Sequence, residues 1–210
     1  SLRFRHTHAN MPDLELVTHL TGGVDHVVMR LTVAGPDEQS VRSVRRVNAC
    51  WQVRRSSSFG NRGHFVRDFV SRCFVVTDAG FARLTDTQRH PDTRSPADHA
   101  QNSPPWVQRY VPAWMDHPGQ PEASWGNSDD RPTRSLVGIV SRDGAHLAAW
   151  GYRRCVGIGQ GWHDCLHLLP DLSLGYDPAA NGIESTAILY FMPNDPDALL
   201  ARYEADFTAD

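Results

Sequence analysis

The stretch SLVGIVSRDGAHLAAWGYRR, residues 135–154, decides the fold class. Its centre, Asp143-Gly144, is the strongest short turn signal in the chain, because a tight hairpin needs positive φ and glycine adopts it at little cost. Counting outward from this turn pairs Val140 with Leu147, Ile139 with Ala148 and Val137 with Trp150. Both faces of the hairpin are then apolar, which predicts two strands at the centre of a sheet with cover on each side.

Two more hairpins extend the pattern. In LELVTHLTGGVDHVVMRLTV, a two-residue Gly22-Gly23 turn pairs Leu16 with Met29 and Leu14 with Leu31 on one face, and Glu15 with Arg30 and His19 with His26 on the other. Two facing imidazoles repel when both are charged, so this register predicts local weakening below about pH 6. In CFVVTDAGFARL the chain turns near Ala79-Gly80, either tightly or through a three-residue loop with a bulge. Further strands are expected within 41–55, 164–169 and 186–192, which are rich in β-branched, aromatic or alternating residues. One helix is expected, over 195–207: Asp195 caps it, Pro196 suits its first turn, and Leu199, Leu200, Tyr203 and Phe207 form one apolar stripe. Many strands with one late helix predict an all-β, mostly antiparallel β-sandwich or jelly roll in a single domain spanning 1–210.

Residues 85–133 interrupt this pattern. Eight of the 14 prolines fall there, which argues against regular helix or central strand. Trp106, Tyr110, Trp114 and Trp125 are too many large rings for a disordered linker, so the segment reads as an ordered flap or insertion over the sandwich. Short edge strands around residues 107–111 are the alternative.

Composition narrows the function classes. The chain has 210 residues, 21% charged and 40% hydrophobic, enough to bury a core without metals or disulfides. No apolar run reaches the ~18 residues of a membrane helix. All 21 basic residues are arginine, which removes Schiff-base and lysine-base chemistry and fits a GC-rich, bacterial-type codon usage. The arginines form scattered pairs in a chain of net charge −3, with no basic stripe, so nucleic acid is not an expected partner. Cys50, Cys73, Cys155 and Cys165 lack CxxC spacing, and free thiols in a reducing cytoplasm are expected.

The densest chemistry lies in GQGWHDCLHLLP, residues 159–170. Read as a strand, it puts Trp162, Asp164, Leu166 and Leu168 on one face, and His163, Cys165, His167 and Leu169 on the other. Same-face neighbours lie roughly 6.5 to 7 Å apart along a strand, so adjacent ones can share a metal while all three cannot. The workable pairs are His163 with Cys165, or Cys165 with His167. His6 and His8, in FRHTHAN, form a second half-site, and joined to His163 or His167 they would hold a divalent transition metal. A purely structural strand accounts for the same residues. The preceding GIGQG resembles a dinucleotide fingerprint only superficially, since a strand follows where a helix should open.

Nothing in the chain marks a nucleophile elbow or a phosphate loop. The pattern resembles jelly-roll and supersandwich carbohydrate-associated domains in architecture alone. Rings stack on the apolar faces of sugars while Arg, Asp and His hold hydroxyls, which casts Trp106, Trp114, Trp125, Trp162 and Asp164 as substrate-binding residues. A lyase-type reaction would take His163 or His167 with Tyr110 as bases and Arg109 to neutralise a substrate carboxylate. The leading expectation is a protein that binds or processes a sugar, or another small polar ligand, in a cleft between the WHDCLH strand and the flap. The alternatives are a cupin-like metalloprotein and a non-catalytic structural or interaction domain of a larger assembly, with homo-oligomers open in each case.

Overall fold

The computed structural model describes residues 1–44, 49–53, 58–59, 66–88, 109–115, 128–160 and 165–207. In chain order the elements are β1 (Leu2–His8), β2 (Met11–Gly22), β3 (His26–Ala34), α1 (Glu38–Ser43), β4 (Ala49–Gln52), α2 (Val66–Arg72), β5 (Cys73–Thr77), β6 (Gly80–Arg83) and β7 (Arg109–Tyr110). They continue with β8 (Leu136–Val140), β9 (His146–Tyr152), β10 (Cys155–Gln160), β11 (Cys165–Pro170), β12 (Tyr176–Asp177), β13 (Gly182–Pro193) and α3 (Pro196–Phe207), with a 3-10 turn at Leu172–Gly175 before β12.

The strands form two antiparallel sheets in a sandwich-like arrangement. The larger runs β1-β2-β3-β13-β9-β8-β5-β6, with β12 added to β13; the smaller runs β4-β11-β10-β7. No described helix is long and apolar enough to cross a membrane.

The β8–β9 hairpin has the register counted from sequence. Val137 faces Trp150, Ile139 faces Ala148 and Val140 faces Leu147, around a turn in which Gly144 has φ +73°. Alternation sends Val137, Ile139, Trp150 and Tyr152 into a core against Ile158, Leu166, Leu168 and Tyr110 of the small sheet. Leu136, Val140, Leu147 and Ala149 face the other way, where Leu199 and Tyr203 of α3 cover them. Gly151 lies against the Tyr203 ring: a Cβ there would come within 2.9 Å of it, so glycine lets α3 approach. The Tyr203 hydroxyl then donates to the Tyr152 carbonyl at 2.8 Å and accepts from the Ser135 amide at 3.2 Å. Asp195 caps α3 through the Ala198 amide, as the sequence predicts. In the third hairpin Thr77 pairs with Gly80 across Asp78-Ala79, with Gly80 at φ +96°.

The β2–β3 register differs from the one counted. Gly22 pairs with Val27, and the Gly23 amide donates to the His26 carbonyl, so the turn takes four residues rather than two. Leu16 therefore faces Val33 instead of Met29, and Glu15 faces Ala34 instead of Arg30. The slip is even, so each side chain keeps its face: Leu14, Leu31 and Val33 still enter one cluster, with Val41, Leu172 and Ile183. His19 lies opposite Arg30 and Arg3, while His26 pairs with Asp25 at 2.8 Å. The facing histidines, and the weakening near pH 6 expected from them, are thus corrected. Residues 38–43 form α1, capped by Asp37, where the expected strand of 41–55 begins; among the described residues of that range only β4 is strand. Periodicity over so short a stretch does not outweigh a good N-cap.

Candidate functional site

The WHDCLH segment enters the fold as β11, described from Cys165 onward, between β10 and β4. Leu166 and Leu168 point into the inter-sheet core, so Cys165 and His167 point to the outer face of the small sheet. Register then assembles a row across four strands. Arg109 of β7 pairs with Gly159 of β10, Gly159 with His167 of β11, and His167 with Cys50 of β4. Directly opposite residues share a face, so Arg109, His167 and Cys50 all stand on the outer side with a bare glycine between the first two. At ~4.8 Å per strand, Arg109 and His167 are roughly 10 Å apart at their Cα atoms.

Arg109 and Cys50 are exposed, His167 is half-buried and Cys165 is fully buried. The Cys165 Sγ lies 2.8 Å from His167 Nε2, and the Cys50 Sγ lies 3.8 Å from the same nitrogen. These three ligand atoms all fall within 4.8 Å of one another, a group that could hold a metal ion. The Gln52 side-chain amide approaches the Cys50 sulfur at 4.0 Å. Sequence reading offered the Cys165–His167 pair as one of two alternatives. It missed Cys50, whose neighbour in the sheet is 117 residues away along the chain.

The other expected residues separate. Tyr110 points opposite to its neighbour Arg109: it is buried in the inter-sheet core, its hydroxyl 2.8 Å from the Thr87 hydroxyl, and burial pushes its pKa far up. That setting makes it a packing residue in this structure and leaves it poorly placed as a base. Trp114 donates its indole N–H to the Cys155 carbonyl at 3.0 Å, which fastens residues 109–115 beside β10. His6 stands on β1, the outermost strand of the large sheet, with Nε2 3.2 Å from the Thr18 hydroxyl. It is therefore in a different sheet from His167. The backbone of His8 is also in β1, where the pairing with β2 shifts between His6 and His8. His163, Asp164, Trp106, Trp125 and Trp162 lie outside the described residues.

A concavity elsewhere in the molecule was not foreseen from sequence. It is an open cleft of about 360 Å³ between β13, the 3-10 turn and the end of α3, lined in part by Arg153, Arg154, Asp171, Glu184, Thr186 and Asp206. β12 pairs with β13 only at Gly182 and Ile183, and β9 pairs with it from Ala187 onward, which leaves a gap between the two along that side of β13. Its carboxylates are already engaged. Asp171 accepts from the Ser173 amide and hydroxyl, Glu184 pairs with Arg30, and Asp206 accepts from the Tyr190 hydroxyl and pairs with Arg202.

No protein-family model matches the chain, and no curated protein matches it. Among solved structures, a crystal structure from Escherichia coli K12, described as a "putative aldose 1-epimerase", aligns with TM-score 0.37 and 8% identity over 91% of this chain. The alignment covers 64% of that protein, so this chain spans less than two thirds of its length.

Proposed function

We propose that the protein is a carbohydrate-related β-sandwich that binds an acidic sugar on the outer face of its small sheet. The observation that carries the reading is the row Arg109–Gly159–His167. A guanidinium offers a planar fork of donors matched to a carboxylate, an imidazole can donate to or accept from a hydroxyl, and the glycine between them places no side chain of its own between the two. The open cleft beside α3 is the competing place. Its three carboxylates, Asp171, Glu184 and Asp206, would repel the sugar's own carboxylate. A metalloprotein reading is favoured by a separate observation, the clustering of Cys50, Cys165 and His167.

The test is binding of uronate-bearing and neutral oligosaccharides, screened on a glycan array and measured by titration calorimetry. The expected result is uronate binding that Arg109→Ala weakens about tenfold or more, the loss of a charge-assisted bond, with Arg154→Ala unchanged. Absence of binding to either sugar class overturns the reading. Loss of binding in Arg154→Ala with Arg109→Ala intact overturns its placement.

A further inference from the structure

The four cysteines divide into two kinds. Cys73 and Cys155 are core thiols: the Cys73 Sγ donates to the Phe69 carbonyl, and burial raises both pKa values, that of Cys155 to about 12. Such thiols are neutral and unreactive. Cys50 and Cys165 instead converge on one imidazole nitrogen from two strands. Packing alone does not call for two sulfurs and a nitrogen within 4.8 Å of one another on a sheet's outer face.

We infer that Cys50, Cys165 and His167 form a three-ligand site for a zinc-class divalent transition metal. The backbone explains the convergence. Cys165 and His167 are same-face neighbours on β11, and Cys50 faces His167 across the β4–β11 ladder, so the three side chains rise from the corners of a small triangle on a rigid surface. In a tetrahedral zinc site the bond lengths give S···N edges of about 3.6 Å and an S···S edge of about 3.8 Å. The Cys50–His167 edge, 3.8 Å, is already at that length, and the Cys165–His167 edge, 2.8 Å, has to open by ~0.8 Å. Two thiolates balance the charge of a divalent ion, and with one imidazole they select zinc, or its cobalt substitute, over magnesium and calcium. The Gln52 amide beside the Cys50 sulfur is placed to donate to a thiolate and steady it.

The burial gradient gives the site its character. Cys165 is fully buried, whereas His167 is half-buried and Cys50 exposed, so the fourth coordination position opens toward solvent. Three protein ligands with one open position are the arrangement of reactive rather than purely structural zinc. Binding releases the thiol protons and is therefore favoured as pH rises.

The experiment uses the whole chain with no sugar present, so its outcome is independent of the carbohydrate reading. Purified, reduced and chelator-dialysed protein is titrated with cobalt(II), then with zinc(II) against a chromogenic chelator. The expected result is one equivalent of cobalt with thiolate-to-cobalt charge-transfer absorption, displaced by zinc. Cys50→Ser, at an exposed position, should fold and lose at least about 100-fold in affinity, since even outer-shell changes cost 10–100-fold. His167→Gln should do the same. Cys73→Ser serves as the control at a core thiol and should keep the absorption. No charge-transfer band in the wild type, or a band that persists in folded Cys50→Ser and His167→Gln, overturns the assignment.

Discussion

The β8–β9 hairpin and the β11–β4 pair are both antiparallel ladders, yet they use their faces differently. In β8 every residue is buried, because the small sheet covers one face and α3 the other. In β11 Leu166 and Leu168 reach the inter-sheet core, while Cys165 and His167 stand opposite Gln52 and Cys50 of β4 on the other face, Cys165 buried and His167 half-buried. A ladder covered twice is specified by packing, and its residues are replaceable only by others of similar volume. A ladder whose second face is only partly covered can carry arginine, histidine and cysteine there without a large desolvation cost.

The largest expected effect lies on the doubly covered side. Leu147→Ala, at a fully buried position beneath α3, should cost about 2 to 5 kcal/mol in denaturant unfolding. A loss well under 1 kcal/mol would mean that α3 does not cover the hairpin as described. Next comes Tyr203→Phe, which strands the Tyr152 carbonyl and the Ser135 amide; a loss of about 1 to 3 kcal/mol is expected from the same measurement. On the singly covered side, Cys50→Ser in metal-free protein should change stability by less than ~0.5 kcal/mol while abolishing tight cobalt binding. If it destabilises as much as Leu147→Ala, Cys50 belongs to a core and the contrast between the two ladders fails.

The smallest effect concerns the β8–β9 turn. The Asp143 carboxylate accepts from the Ser141 hydroxyl at 2.5 Å and the Ala145 amide at 3.0 Å, which lowers its pKa below the usual 3.8. A lowered folded-state pKa contributes stability that is present above the unfolded value and is lost as pH falls through the folded one. Asp143→Asn should therefore narrow its deficit relative to wild type only below about pH 4, in parallel acid titrations of the two proteins. A deficit that stays constant down to pH 2 would show that the carboxylate charge plays no part in closing this turn.

Legibility in the sequence followed the range of the interaction. The Asp143-Gly144 turn, the Asp195 cap and the shared face of Leu166 and Leu168 could be read because each depends on residues a few positions apart. The β2–β3 register was misjudged at the same range: Gly22-Gly23 reads as a tight turn, but the Gly23–His26 bond closes a longer one, and only the even shift preserved the faces. The strand expected from 41 onward overlaps α1 at 41–43, because α1 is too short to show a helical period.

The sequence by itself determined the class of the fold and which side of each well-marked strand is apolar, because turn chemistry and the two-residue pleat are properties of the local backbone. It also determined that Cys165 and His167 share a face. Only the tertiary structure decided that β4 lies beside β11, that β7 brings Arg109 into line with Gly159, and that β13 separates β3 from β9. Strand neighbours are chosen by the burial of whole sheets against one another, a sum over many distant contacts that no short stretch contains. Two of the three candidate ligands were therefore readable in one segment, and the third had to wait for the fold.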